Sequence, residues 1–162
     1  DLLNFSRIGR TKVKPEVVDV ASVLQEILQI TDNPDGVMVR LDDSLPTICT
    51  ERVPLEQVFL NLVGNAIKHN DQKKNGIVEV TCKQTDGCCL FQICDNGPGI
   101  EPQHYERVFQ MYQRVGDSDI EGSGMGLAIV KKQVERLGGE IRVDSNRGRG
   151  VTFSVTWPVV TM

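Results

Sequence analysis

The 162-residue sequence lacks several features that would each define a class of protein. No apolar run approaches the roughly 20 residues that a membrane-spanning helix requires, and no segment has the pattern of a signal peptide. The net charge of −4 provides no basic surface for nucleic acid. Because the five cysteines include no C-x-x-C pair, neither a zinc site nor a dithiol redox motif is indicated. We therefore expect a cytoplasmic domain that contacts neither a membrane nor nucleic acid.

The overall composition is typical of a single globular domain. The chain is 40% hydrophobic and 25% charged, which suits one substantial core, and its length is too short for two ordinary domains. Most of the cysteines lie in apolar, strand-like runs, where we expect small buried hydrophobic side chains in a reducing compartment. Cys94 directly precedes Asp95, a residue of the candidate site described below, so a thiol near that site remains an alternative.

Hydrophobic periodicity predicts alternating helices and strands along the chain. Helices are predicted over residues 17–30, over the segment that follows Pro54, and from about Gly126 to Leu137. Strands are predicted at Val37–Leu41, Ile77–Gln84, Cys88–Cys94, Glu140–Ser145 and Val151–Trp157. Residues 101–125 are polar and interrupted by glycines, and we expect them to be mobile. Helices packed on one face of a mixed sheet would bury the apolar faces of both.

The segment from Glu56 to Asn70 carries the most informative motif. Its apolar residues recur at spacings of three and four, which predicts an amphipathic helix. Asn61 and Asn65 are four residues apart and therefore lie one above the other, with Lys68 one further turn along. Such an edge offers a neutral oxygen ligand for a hard cation and an ammonium for a phosphate. From these residues alone, an ordinary solvated helix edge is the alternative.

A second motif, Asp95-Asn-Gly-Pro-Gly99, follows about thirty residues later. Strand alternation places Asp95 on the same face as Phe91 and Ile93. A carboxylate on an apolar face is costly unless it has a partner, and a ligand that donates a hydrogen bond would be one. Gly97 and Gly99 permit unusual backbone angles and close approach of the chain to a ligand. A simple turn without a ligand is the alternative.

A third motif consists of alternate glycines, Gly122, Gly124 and Gly126, which open into the helix predicted to start near Leu127. The free N–H groups and the positive end of the helix dipole would attract an anion there. No Gly-Lys-Ser/Thr follows, as a Walker A loop would need, and Leu127 stands where a dinucleotide-binding fingerprint has its third glycine. A flexible hinge is the alternative interpretation.

In this order the motifs resemble those of the catalytic, ATP-binding domain of sensor histidine kinases, within the group that includes gyrase and Hsp90. The N box corresponds to Asn61–Asn70, the first glycine box to Asp95–Gly99, a phenylalanine box to the region of Phe109, and the second glycine box to Gly122–Gly126. The resemblance covers about residues 15–158. It implies an α/β (α+β) two-layer sandwich, in which helices cover one face of a mixed, mostly antiparallel sheet, with a mobile lid over ATP.

The resemblance also implies roles for individual residues. Asn65 would hold Mg²⁺, Asn61 and Lys68 would act with it in catalysis, and Asp95 would bind the adenine. His69 stands where the family usually has an aromatic residue beside the adenine. Further contacts with the nucleotide are implied for Lys68, Gly97, Gly99, Ile100, Tyr112, Arg114, Gly122, Gly124, Met125, Gly126, Leu127 and Thr152. Tyr112 departs from the more usual second phenylalanine of the lid.

The residue type at position 61 separates the possible activities. Hydrolytic members of the group and their serine-kinase relatives carry a glutamate four residues before the magnesium-binding asparagine, and this chain has Asn61 there. A carboxamide cannot accept a proton near neutral pH, so it cannot be a general base. Transfer to an imidazole nitrogen, which needs little activation, is favoured. A serine kinase or ATPase, and a non-catalytic nucleotide-sensing module, remain as alternatives.

The acceptor of the phosphoryl group is expected to lie on another domain. The chain has only His69 and His104, and neither stands in a phosphoacceptor motif. Residues 1–14 resemble the end of a dimerisation helix and a linker, and residues 15–162 the catalytic domain, so we expect a fragment of a longer, phytochrome- or PAS-linked kinase. The implied partners are its own dimerisation domain and a response regulator. The full-length protein is expected to be a homodimer and the fragment a monomer.

Overall fold

The computed structural model describes residues 14–99, 126–145 and 150–160. Within them the chain alternates between helices and strands. The helices are α1 (Val20–Ile30), α2 (Arg52–Lys68) and α3 (Gly126–Arg136), and a 3₁₀ turn lies at Lys73–Asn75. The strands are β1 (Glu16–Asp19), β2 (Met38–Leu41), β3 (Thr47–Thr50), β4 (Ile77–Thr85), β5 (Cys88–Asp95), β6 (Glu140–Ser145) and β7 (Val151–Pro158). The α/β alternation predicted from hydrophobic periodicity is confirmed.

The main sheet has five strands in the order β2-β4-β5-β7-β6. Only the β2–β4 pair is parallel among the described strands, and the remaining pairs are antiparallel. Gly87 has a φ of +71° at the turn between β4 and β5, where the sequence predicted a hairpin at Asp86-Gly87. The sheet is therefore mixed and mostly antiparallel, as expected.

One predicted boundary is wrong. The helix expected over residues 17–30 begins at Val20, because Glu16–Asp19 form β1 and pair with β3 in a separate two-stranded sheet. Within β1 only Val18 is buried, and both its neighbours are exposed. Four residues are too few to show this alternation against the helical pattern that follows. Strand β3 was not predicted at all.

The helices bury their apolar faces against one side of the main sheet. In β5, Cys89, Phe91 and Ile93 point inward and are about 1% exposed, while the residues between them are only partly buried. Phe59 of α2 meets Phe91 edge to face, with ring centroids 5.1 Å apart. Burying each such side chain contributes about 1.5–3 kcal/mol. This packing fixes α2 directly above β5, and so determines where the polar ends of both elements meet.

The five cysteines all lie in strands. All five are free, and Cys49 and Cys89 are buried. Burial raises the pKa of the Cys82 thiol to about 12, which makes it a poor nucleophile near neutral pH. Among the described residues, no helix has both the length and the apolar character needed to cross a bilayer.

Candidate functional site

Asp95 lies at the end of β5, on the face that is covered by helices. Its partners on the neighbouring strands are Val78 and Val151, which are 0% and 5% exposed. Burial raises the pKa of Asp95, hydrogen bonds from the backbone N–H groups of Gly97 and Val151 oppose this rise, and the nearby charge of Asp71 adds to it. The result is a carboxylate held on an apolar surface, where a ligand N–H group would find a strong acceptor.

The first glycine motif packs closely around this carboxylate. The N–H of Gly97 donates to Oδ1 of Asp95 at 2.8 Å. A Cβ atom at position 97 would lie 3.1 Å from that oxygen and 3.4 Å from the carbonyl oxygen of His69. A larger residue at this position would therefore push the Asp95 side chain or the His69 backbone aside. Gly99 has a φ of +78°, and a Cβ there would lie 3.1 Å from the carbonyl oxygen of Gly150. Both glycines predicted to permit close approach therefore occupy tight positions.

The C-terminal end of α2 is tied to the same region. Asn70 is buried, and its side chain donates to Oδ1 of Asn96 at 2.9 Å. His69 caps α2 and is half-buried. Burial lowers the pKa of His69, and the charge of Lys68 lowers it further, so the imidazole is neutral at pH 7. The backbone carbonyl of His69 lies close to Gly97, which places this residue beside the first glycine motif.

The asparagine edge of α2 has one engaged and one available carboxamide. Asn61 donates from Nδ2 to the backbone carbonyl of Gln57 at 2.9 Å, which leaves its Oδ1 as an acceptor. Asn65 is half-buried, and among the residues that the structure describes its side chain has no hydrogen-bond partner. Lys68, one turn on, is exposed. An unused carboxamide oxygen beside a lysine suits a hydrated Mg²⁺ with phosphates, since Mg²⁺ takes oxygen ligands and few from the protein.

Two side-chain contacts fix α3 against α2. Nε2 of Gln133 donates to Oε1 of Gln57, and Arg136 forms an ion pair with Glu51 at 3.0 Å. Later residues of α3 thus meet earlier residues of α2, so the two helices run antiparallel. The N-terminus of α3, which begins at Gly126 after the glycine-rich segment, therefore faces the later part of α2.

Thr152 is not brought together with the rest of the site. Its side chain contacts Cys94, with Oγ1 3.1 Å from Sγ, and Cys94 and Thr152 are partners in the β5–β7 ladder. Because they alternate with Asp95 and Val151, they lie on the opposite face of the sheet. Leu127 is half-buried and packs against the core. The residues predicted at Ile100, Tyr112, Arg114, Gly122, Gly124 and Met125, and the lid and remnant dimerisation helix, lie outside the described residues.

Sequence reasoning missed several residues that build this region. Asn70 and Asn96 link α2 to the first glycine motif, and Gln57 and Gln133 link the two helices. The available signal was a polar residue at an apolar position, since Gln133 stands between Val130 and Val134 in the buried stripe of α3. A buried carboxamide needs a partner, but the sequence alone does not identify it.

The arrangement defines a class: a two-layer α/β domain with a polar helix edge on α2, an inward-facing carboxylate at the end of β5 and a glycine-preceded helix α3. Residues 50–161 match the family of histidine kinase-, DNA gyrase B-, and HSP90-like ATPases. The chain belongs to this family, and within it to the ATP-binding catalytic domains of sensor histidine kinases.

Individual relatives agree with this assignment. Cyanobacterial phytochrome B of a Nostoc species is 37% identical over 163 residues, a match that covers 96% of this chain and 21% of the relative. The methanogenesis regulatory histidine kinase FilI of Methanothrix harundinacea is 32% identical, with 98% and 18% covered. The chain thus spans about a fifth of the length of these relatives.

Solved structures show the same fold. Full-length ShkA in complex with AMPPNP superposes with a TM-score of 0.81 at 28% identity, and the match covers 99% of this chain and 35% of that one. The mycobacterial sensor histidine kinase MprB gives a TM-score of 0.78 at 30% identity, with 91% and 100% covered. The fold class predicted from the sequence motifs is therefore confirmed.

Proposed function

We propose that the cleft between the end of β5, the C-terminal half of α2 and the N-terminus of α3 binds MgATP. In this proposal the domain transfers the γ-phosphoryl group to a histidine on a separate dimerisation domain of the same protein. The single observation that supports it most directly is the Asp95 carboxylate, which is held between two buried valines on an apolar face. Its position suits the exocyclic amino group of adenine.

The adenine end of the nucleotide would be held by the strand end. Asp95 would accept a hydrogen bond from the adenine amino group, while Gly97 and Gly99 keep the neighbouring backbone close to the base. The neutral imidazole of His69 would stack on or beside the ring. These contacts recognise the base and leave the phosphates directed toward α2 and α3.

The phosphate end would be held by the helix edge and helix terminus. Asn65 is the residue we propose as the protein ligand of Mg²⁺, which when bound would neutralise the phosphate oxygens. Lys68 and the N–H groups at the start of α3, including those of Gly126 and Leu127, would bind the same oxygens. Asn61, whose carboxamide is held by the backbone of Gln57, would support this arrangement. Further contacts are proposed from Ile100, Tyr112, Arg114, Gly122, Gly124 and Met125.

Catalysis would depend on position and electrostatics. No carboxylate precedes Asn65 by one turn, because Asn61 occupies that position, and a carboxamide cannot deprotonate water or a hydroxyl. A neutral imidazole nitrogen needs no such base. In-line transfer would then require that the γ-phosphate be oriented and its charge stabilised.

The rest of the protein follows from the same proposal. Residues 1–14 would be the end of a dimerisation helix with its linker, and residues 15–162 the catalytic domain. The acceptor histidine and a response regulator would be the partners, in a cytoplasmic, homodimeric kinase. The present chain would bind MgATP as a monomer without phosphorylating itself appreciably.

Calorimetric titration of the chain with ATP, with and without Mg²⁺, tests the binding proposal. Asp95→Asn should abolish detectable binding, and Asn65→Ala should remove the Mg²⁺-dependent part of the affinity. Asp86→Asn is the matched control, since it makes the same substitution in the exposed turn at the far end of β5, and Asn-Gly forms such turns equally well. Wild-type affinity in Asp95→Asn would disprove the assignment of the adenine site.

A labelling assay tests the activity. Radiolabelled ATP with this chain and a separately produced dimerisation domain should yield acid-labile, alkali-stable phosphoprotein, as phosphohistidine is. Acid-stable label would indicate a serine kinase, and rapid release of phosphate would indicate an ATPase. ATP binding without labelling or phosphate release would indicate a nucleotide-sensing module. Strong stable labelling of the chain alone would show that it contains an acceptor.

A further inference from the structure

Gln133 occupies a core position in α3 although it is polar. It is 5% exposed and lies between Val130 and Val134, which are both 0% exposed. A buried carboxamide without a partner costs about 1–3 kcal/mol. Its Nε2 donates to Oε1 of Gln57 on α2. The structure therefore retains a polar contact between the two helices where an apolar pair would fill the same space.

Gln57 connects this contact to the asparagine edge. Its side chain accepts the hydrogen bond from Gln133, and its backbone carbonyl accepts one from Nδ2 of Asn61 at 2.9 Å. One residue thus joins α3 to the turn of α2 that carries Asn61. The contact with α3 is therefore made one helical turn before Asn61, at the start of the asparagine edge.

The contact also sets Asn65 and the N-terminus of α3 at the same level along the two helices. Asn65 lies eight residues after Gln57, or about 12 Å along α2, and Gly126 lies seven residues before Gln133, or about 10 Å along α3. Because the helices run antiparallel, both distances are measured in the same direction. The N-terminus of α3 therefore lies at about the same level along α2 as Asn65 when the glutamines are paired.

We propose that Gln57 and Gln133 are positioning residues for the phosphate end of the nucleotide. Their hydrogen bond holds the first turn of α3 at the same level along α2 as Asn65. The attraction of a helix N-terminus for an anion is confined to its first turn, and small displacements of binding groups have large effects. The inference rests on the proposed function, because it names residues that position that same site.

The test compares ATP with adenosine, which lacks phosphates. Three variants are made: Gln133→Leu, Gln57→Leu, and the double variant, in which no carboxamide remains unpaired. ATP affinity with Mg²⁺ is measured by calorimetry, adenosine affinity by chemical-shift titration, and stability by thermal melting. We expect about tenfold weaker ATP binding in all three variants, and adenosine affinity within about twofold of wild type. The double variant should recover melting temperature without recovering ATP affinity.

Arg136→Gln is the matched control. It removes the ion pair with Glu51, the residue that precedes α2, at the end of α3 farthest from Gly126. We expect a lower melting temperature and unchanged ATP affinity. Where a single leucine variant does not fold, the double variant decides the question.

Two results would overturn the inference. One is wild-type ATP affinity in the double variant, and the other is an equal loss of ATP and adenosine affinity, which would indicate a general structural effect. A wild-type chain that bound neither ligand would instead overturn the proposed function, and with it this inference, before any variant was compared.

Discussion

The side chains of Asn70 and Asn96 form a hydrogen bond of 2.9 Å, in which Nδ2 of Asn70 donates to Oδ1 of Asn96. The same oxygen accepts from the backbone N–H of Ile77 at 2.8 Å, and Nδ2 of Asn96 donates to the carbonyl of Asn75 at 3.0 Å. The carboxamide of Asn96, which directly precedes Gly97, thus joins the end of α2, the 3₁₀ turn and the start of β4. The contact holds the C-terminal end of α2 beside the first glycine motif.

Replacing Asn96 with alanine should destabilise the domain. The change leaves Nδ2 of the buried Asn70 and the N–H of Ile77 without partners, so we expect the free energy of unfolding to fall by about 2–3 kcal/mol. Urea denaturation measures it. The control is Asn75→Ala, since the Asn75 contact uses its backbone, and it should change stability by less than about 0.5 kcal/mol. Equal midpoints for the two variants would contradict this role.

Asp95→Asn should separate stability from binding. The pKa of Asp95 is raised in the folded state, so the folded chain holds this proton more tightly than the unfolded chain. The protonated form of Asp95 therefore stabilises the fold below pH 3.8, which is the pKa of this group in the unfolded chain. This stabilisation is lost as the pH rises through the raised pKa of the folded state. Asparagine does not ionise, so the variant does not lose this stability as the pH rises, and its side-chain oxygen can still accept the hydrogen bond from the N–H of Gly97. We expect an unchanged or higher melting temperature at pH 7, with nucleotide binding abolished. A large drop in melting temperature would argue against burial as the cause.

His69→Phe should make the domain less sensitive to acid. The pKa of His69 is lowered in the folded state, mainly by burial, so the unfolded chain binds this proton more readily. His69 therefore has no destabilising effect above about pH 6.5, which is its pKa in the unfolded chain. The effect grows as the pH falls from this value toward the lower pKa of the folded chain. Melting temperatures between pH 7.5 and pH 5 should therefore decline less in the variant, and ATP affinity at pH 7.5 should persist because phenylalanine can also stack. Parallel declines would contradict the prediction.

Trp157 and Thr50 provide a test of the far end of the core. Nε1 of Trp157 donates to Oγ1 of Thr50 at 2.7 Å, and both residues are buried. We expect Trp157→Phe to reduce stability by about 3 kcal/mol and Thr50→Val by about 1–3 kcal/mol. The double variant should lose less than the sum, because the two changes remove one shared contact. ATP affinity should not change, since Trp157 pairs with Cys89, about 20 Å along β5 from Asp95. Additive losses would mean that the hydrogen bond contributes nothing.

Much of the architecture could be predicted because its elements are long and periodic. The apolar spacing of α2 and the alternation along β5 each repeat often enough to identify the element and its buried face. The inward position of Asp95 followed from that alternation. Strands β1 and β3 could not be predicted, because four residues carry little periodic signal and their pairing joins segments about thirty residues apart.

The sequence predicts the residue types of the candidate site, but not the contacts that position them. The roles of Asn65 and Asp95 stay predictions that rest on motifs, whereas the Gln57–Gln133 contact depends on how two distant helices pack. Thr152 is a different case, because the alternation of β7 already places it opposite Val151 and Phe153. Applying the two-residue period to that strand would have separated it from Asp95 without a structure.

Cys49 is flanked on both sides by the outermost parts of the described chain. Val17 pairs with it in the small sheet, and the N–H of Val160 donates to its carbonyl at 3.0 Å. The described part of the chain therefore begins and ends near one pole, beside Trp157 and about 20 Å from Asp95. A short peptide could connect these two points to give a circular permutant, and a reporter protein attached at either point would stand clear of the ATP cleft.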